Sequence, residues 1–257
     1  MGLLNGKKGF VFGVANDHSL AWHIAEKLHR EGAQLGFNHL PNPKMERRVR
    51  QLAEPIGAPC IVSCDVGDDE QIKSALHQAH EMLGELDFLV HAIAFATRES
   101  LSEPYFKTKR ADFLQAMDIS AYSLVAVCQH ALPFMAEGAA VLTLSYMGSV
   151  KVIPSYNVMG VCKAALEASV RYLAADLGRE KKIRVNAISA GPVRTLSSAG
   201  VSGFSKMLDH YPTKSPLARN IEAEEVGKAG LYLLSDLSSG VTGEVHYVDA
   251  GYNIVGW

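Results

Sequence analysis

The stretch SYMGSVKVIPSYNVMGVCK, residues 145–163, places two tyrosines, Tyr146 and Tyr156, ahead of Lys163 on the approach to a long helical pattern. A phenol can donate a hydrogen bond to an oxygen that gains charge, and a nearby ammonium adds positive potential. Tyr156 lies seven residues before Lys163, nearly two helical turns, which keeps the pair on one helix face. Tyr146 is open to two readings, a second pocket residue or a packing residue.

Such a pair needs a scaffold. Apolar runs recur at 9–13, 33–38, 58–64, 86–92, 139–145, 183–188 and 245–248, with helical periodicity between most of them. Runs such as FLVHAIA and AAVLTLS are apolar almost throughout, as expected of parallel strands covered on both faces. The alternation predicts an α/β, Rossmann-type doubly wound parallel sheet of about seven strands with right-handed crossovers. Residues 1–257 read as a single dinucleotide-binding catalytic domain, with no linker, low-complexity tract or internal repeat to divide it.

Composition narrows the function classes. The chain of 257 residues is 48% hydrophobic and 20% charged, with a net charge of -2. No apolar run approaches the roughly 20 residues of a membrane helix, and the amino-terminal MGLLNGKKGFVFGV runs into a strand and a glycine loop rather than a cleavage site. The charge balance gives no basic footprint for nucleic acid, and KMERRVRQ reads as a solvated helix face. Cys60, Cys64, Cys128 and Cys162 have no zinc-type spacing, so no metal site is expected and the cytoplasm is the simplest location.

Ligands of a doubly wound sheet bind beyond the carboxyl ends of its strands. After the first strand, Gly13 turns the chain toward a helix that Ser19 is placed to cap, with Ala21 in its first turn and Leu20, Ile24 and Leu28 on its apolar face. That is a pyrophosphate site without the usual G-x-G-x-x-G, and equally a plain strand-helix loop. After the third strand, Asp65 can accept from an adenine amino group while Val66 packs on the ring, or Asp65 is a helix-start acid. Ala92 and Ala94 allow close backbone approach, and His91 reads as a hydrogen-bonded structural residue. After the sixth strand, RVNAISAGPVRT turns at Gly191 and Pro192, offers backbone groups of Val193 to a carboxamide and the Thr195 hydroxyl to a phosphate.

Together, Lys163 on the helix after strand five and NAISAGPVRT after strand six resemble the short-chain dehydrogenase/reductase superfamily over nearly the full chain. SYNVMGVCKAALEASVRYLA and the tail GEVHYVDAGYNIVG narrow the resemblance to the bacterial enoyl-acyl-carrier-protein reductase family. The resemblance implies a cytoplasmic homotetramer that reduces trans-2-enoyl thioesters on acyl carrier protein in type II fatty acid synthesis. It implies Tyr156 as the active-site tyrosine, Lys163 as the ribose lysine and Tyr146 as a second pocket tyrosine. Gly13, Ser19, Ala21, Leu40, Asp65, Val66, Ile93, Lys163, Val193 and Thr195 would surround the cofactor. Ala94, Phe95, Ala96, Tyr146, Tyr156, Met159 and Phe204 would line the acyl pocket, beneath a substrate flap near 196–207. The flap departs from the family pattern in carrying only Lys206 as a basic residue, where relatives often have several. The loop after strand two, GFNHLPNPKMERR, has neither an acid for a 2′-hydroxyl nor an arginine immediately placed for a 2′-phosphate, with Leu40 at the ribose edge; the missing arginine makes NADH the expectation, with NADPH as the alternative should His39, Lys44 or Arg47 hold a phosphate.

In the superfamily at large the catalytic tyrosine lies four residues before the lysine, a position that here is Met159. Moving the phenol back to Tyr156 shifts it by about 4.5 Å along a helix axis. The shift suits reduction of C=C, because hydride then reaches the β-carbon while negative charge develops on the distant thioester oxygen. A 3-oxoacyl or other carbonyl reductase is the rival reading, and a non-catalytic dinucleotide-sensing protein is the rival from another class.

Overall fold

The first strand, β1 (Lys8–Phe12), is buried from Gly9 onward and pairs in parallel with β2 (Gln34–His39) on one side and β4 (Leu86–His91) on the other. The computed structural model describes residues 2–196, 198 and 203–256. β3 (Cys60–Ser63), β5 (Met135–Ser145), β6 (Arg184–Ala190) and β7 (Val245–Val248) complete one parallel sheet in the order β3-β2-β1-β4-β5-β6-β7. Each apolar run read as a strand is a strand, and the order reverses between β1 and β4, which opens a crevice beyond their carboxyl ends.

Helices cover both faces, which is why the central strands lack polar alternation. On one face, α1 (Leu20–Arg30), α2 (Pro43–Ala53) and α9 (Ala223–Leu234) bring Ile24, Leu28, Val49 and Val226 against Val11, Phe37 and Leu142. On the other, α3 (Asp69–Leu83), α6 (Ser123–Ala131) and α7 (Asn157–Lys181) bring Ile72, Leu76, Leu124, Val127, Leu166 and Val170 against Phe10, Leu89 and Val185. Each such side chain contributes about 1.5–3 kcal/mol on burial. Three further helices, α4 (Arg98–Ser102), α5 (Arg110–Met117) and α8 (Phe204–Lys214), follow strands four and six. A small cluster of Ala116, Val158, Met159 and Cys162, with Leu101 and Tyr156 packed on it, joins α4, α5 and α7.

Local end signals mostly work as the sequence suggests. Asp68 caps α3 by accepting from the Glu70 and Gln71 N–H groups, so the helix-start acid is Asp68 rather than Asp65. Ser19 departs from expectation. It occupies the cap position of α1, but its hydroxyl accepts from the N–H groups of Ala15 and Asn16 and closes the preceding loop instead of capping the helix. Tyr156 departs too: α7 begins at Asn157, so the phenol is carried by the residue before the helix and its direction is set by the turn, not by helical phase. Among the described residues no helix is long and apolar enough to cross a membrane. Ser197 and residues 199–202 of the expected flap, and Trp257 of the apolar tail, lie outside the described residues.

Candidate active site

Beyond the carboxyl ends of β1, β4, β5 and β6 lies a cavity of about 480 Å³. It gathers Gly13, Ser19, Ala21, Ile93, Ala94, Phe95, Ala96, Tyr146, Tyr156, Met159, Lys163, Val193, Thr195 and Phe204, all expected from the sequence. Three expected residues do not line it. Leu40 follows β2 and is half exposed, and Asp65 and Val66 follow β3 further along the same sheet edge.

The phosphate side is shaped by close approach. Gly13 has φ +100, and an added Cβ would fall 2.2 Å from the Ala92 carbonyl oxygen, so glycine alone fits. Its N–H donates to the Asn38 Oδ1 at 3.0 Å, and the Asn38 amide donates to the Cys64 carbonyl at 3.2 Å. One buried amide thereby ties together the ends of three strands, a role the sequence did not advertise. Leu20 and Ala21, in the first turn of α1, line the cavity where helix N–H groups have no intrahelical partner. Across the cavity, the Thr195 Oγ1 accepts from the Ser198 N–H at 3.1 Å and keeps its own proton for a ligand.

The far side carries the candidate chemical groups. Lys163 is buried, and its Nζ donates to the Leu144 carbonyl at the end of β5 at 2.8 Å. Burial pushes its ammonium down to about 8, partly offset by Cys162 and Glu167. Next to Leu144, the Ser145 hydroxyl donates to the buried Glu167 carboxylate at 2.5 Å, a pair not singled out in the sequence. The Tyr146 and Tyr156 rings meet edge to face at 4.9 Å and 69°. Burial pushes the Tyr146 phenol up to about 12 and the Tyr156 phenol higher still. Both therefore keep their protons at neutral pH and are available as hydrogen-bond donors. The Tyr146 hydroxyl donates to the Met207 Sδ of α8 at 3.1 Å.

The loop after β4 is held from beneath. His91 is fully buried and hydrogen-bonds Thr143 at 3.1 Å and Ser123 at 2.9 Å. Burial, with the Lys163 charge second, pushes it down to about 3, so it stays neutral and structural as the sequence suggested. A wide π-turn at Asp118–Tyr122 between α5 and α6 turns Ser120 toward the loop, where its hydroxyl pairs with both the N–H and the carbonyl of Phe95 at 2.9 Å. Sequence spacing gave no signal for that insertion.

A cavity with two protonated phenols, one buried ammonium, a glycine turn beside the first turn of α1 and, among the described residues, no cluster able to hold a metal suits oxyanion stabilisation beside a dinucleotide. The sequence matches the family described as Enoyl-(Acyl carrier protein) reductase over residues 13–253. The chain belongs to that family. It is 49% identical to the NADH enoyl-acyl-carrier-protein reductase of Nostoc sp. over 255 residues, 98% of each chain. It is 50% identical to enzyme 2 of that name from Rhizobium meliloti over 253 residues, covering 98% of this chain and 94% of the relative. Among solved structures, the Bacillus cereus enoyl-acyl-carrier-protein reductase with NADP+ and indole naphthyridinone superposes with a TM-score of 0.97 at 47% identity, covering 100% of both chains. The Anaplasma phagocytophilum reductase in complex with NAD gives 0.95 at 50% identity, covering 100% of this chain and 97% of the other.

The Lys163 environment of this reductase has a measurable signature. The folded value of about 8 lies below the unfolded 10.5, so between these pH values the unfolded chain binds more protons and stability rises with pH. Urea unfolding of wild type and Lys163→Met at pH 7.5 and 10.5 should show the wild type gaining about 3 kcal/mol relative to the variant. Parallel behaviour of the two proteins would contradict a desolvated ammonium.

Proposed function

We propose that this chain reduces trans-2-enoyl thioesters on acyl carrier protein with NADH, the enoyl-reduction step of type II fatty acid synthesis. Membership of the family supports the activity, and one observation supports the residue roles. Met159, four residues before Lys163, is buried in the cavity wall, while the phenol comes from Tyr156. A donor at Met159 is what a carbonyl reductase on this fold would need, and a thioether has no proton to give.

The residues fit the cofactor. Gly13 leaves no side chain between the β1 turn and a phosphate, the first turn of α1 offers N–H groups, and small Ala92 and Ala94 admit a ribose. Lys163 would hold the nicotinamide ribose, Ile93, Val193 and Thr195 would flank the ring and phosphates, and Asp65 and Val66 would take the adenine end. Leu40 stands at the ribose edge with no cation in its place, which favours NADH over NADPH.

When bound, NADH would supply a hydride to the β-carbon of the enoyl group. Tyr156 would donate a hydrogen bond to the thioester oxygen as negative charge moves onto it, and the α-carbon of the resulting enolate would then take its proton from solvent water, leaving the saturated thioester and NAD+. Lys163, charged at neutral pH, adds positive potential. The edge-to-face contact with Tyr146 holds the Tyr156 ring, and Ala94, Phe95, Ala96, Met159 and Phe204 supply an apolar wall for the acyl chain. The flap reading covers 196–207, of which Leu196, Ser198, Phe204 and Met207 line the cavity. We read the protein as a cytoplasmic homotetramer, as the family resemblance implies, and the exposed Phe106, Val152 and Ile254, at 83%, 96% and 75% of their area, are side chains an interface could cover.

Four measurements test these roles. Tyr156→Phe should lower kcat for crotonyl thioester reduction by roughly 10²-fold with NADH affinity nearly unchanged, the pattern of a lost transition-state contact. Wild type should be almost inert toward a 3-oxoacyl thioester, and robust ketone reduction would hand the function to the carbonyl-reductase reading. Hydrogen exchange across 196–207 should slow on adding cofactor with a substrate analogue, and equal exchange in both states would count against a lid. Light scattering at micromolar concentration should give four times the chain mass, and a monomer mass would end the tetramer reading.

A further inference from the structure

The residues on either side of Tyr156 are held in a conformation that side chains disfavour. Ser155 has φ +59 and Asn157 has φ +40, both in the left-handed region, while Tyr156 between them has φ -102. Without contacts that require it, such a run would relax. Asparagine tolerates this region better than most residues, and its side-chain amide carries two protons.

Both protons of Asn157 are spent on one partner element. The amide donates to the Glu103 carbonyl at 2.7 Å and the Leu101 carbonyl at 2.9 Å, with the Ser100 carbonyl at 3.5 Å. These carbonyls lie in and just after the last turn of α4, where a helix this short has no backbone donors left for them. Arg98 and Leu101 of α4 line the active-site cavity, and Leu101 packs in the same small cluster as the Tyr156 ring. Asn157 therefore joins the turn that carries the phenol to the wall that faces it.

The other side of the ring is set by backbone. A Cβ on Gly148 would lie 2.4 Å from the Tyr156 ring, and one on Gly160 would lie 2.7 Å from the Gly148 carbonyl oxygen. Two glycines thus let the turn at 147–149 press on α7 and give the phenol a hard stop. With one side of the ring against backbone and its own chain tied to α4, the hydroxyl has little room to wander.

We propose that Asn157 is a positioning residue for the Tyr156 phenol: its amide locks the left-handed turn and ties it to α4, so that the phenol and the 98–101 wall keep one separation. The proposal rests on the reading of Tyr156 as the hydrogen-bond donor in enoyl reduction. It assigns Asn157 no contact with substrate or cofactor.

A double-mutant cycle tests it, because a residue that acts through the phenol loses its effect once the hydroxyl is gone. Wild type, Tyr156→Phe, Asn157→Gly and the double variant would be assayed with crotonyl thioester and NADH, with NADH affinity and thermal midpoint measured alongside. Glycine keeps the left-handed backbone and removes only the tether. Asn157→Gly alone should lower kcat about tenfold with little change in NADH affinity, and less than about twofold in the Tyr156→Phe background. If Asn157→Gly does not fold, Asn157→Ser, whose single hydroxyl proton cannot serve both the Leu101 and Glu103 carbonyls, enters the same cycle, with the loss again confined to the background that keeps the Tyr156 hydroxyl. A tenfold loss in both backgrounds, or no loss in wild type, would overturn the proposal while leaving Tyr156 in its role. A wild-type rate for Tyr156→Phe would overturn the role of Tyr156 itself and the proposal with it.

Discussion

An ammonium buried at the carboxyl end of a central strand is the constraint around which the active site is built. Lys163 is 5% exposed and gives a hydrogen bond to the Leu144 carbonyl, one residue before β5 ends. Desolvation penalises the charge, so its surroundings must hold it by geometry and by nearby acceptors. Glu167 stands one turn further along α7 and is itself anchored by Ser145. His91, on the neighbouring strand, stays neutral, which spares the site a second buried cation. The sheet makes this possible: β5 lies between β4 and β6, so its end is shielded on both sides and α7 covers it from one face.

Given that lysine, the proposed role of Tyr156 ties the position of the phenol to the bond that is reduced. A tyrosine one turn before Lys163 would put its hydroxyl near the carbon that accepts hydride. Here that place is filled by the Met159 thioether, and the phenol arrives from a turn outside the helix. The displaced donor matches an oxygen that gains charge at a distance from the reacting carbon. The two tyrosines need no ionisation to serve, since burial keeps both protonated.

Much of this was legible in the residues for identifiable reasons. Parallel strands covered on both faces leave continuous apolar runs, so all seven strands were visible, and ligand-facing residues cluster just after strand ends, so most of the cavity lining could be named. The failures share a cause as well. Ser19 looked like a cap because of its residue type, yet its hydroxyl found two loop N–H groups nearer than those of the helix. Tyr156 looked helical because seven residues before Lys163 is nearly two helical turns, while the left-handed turns at Ser155 and Asn157 are invisible in residue types alone.

The sequence by itself determined the layer architecture, the presence of a phenol and an ammonium at Tyr156 and Lys163, and the absence of a donor at Met159, because periodicity and residue type are local properties of the chain. Tertiary structure decided what depends on residues distant in sequence. The Asn38 amide joins Gly13 to Cys64, Ser120 holds Phe95 through an inserted turn, Tyr146 meets Met207, and Ser145 meets Glu167. Each is a directional hydrogen bond between groups brought within about 3 Å only by packing, and no spacing along the chain encodes which acceptor a buried donor will find.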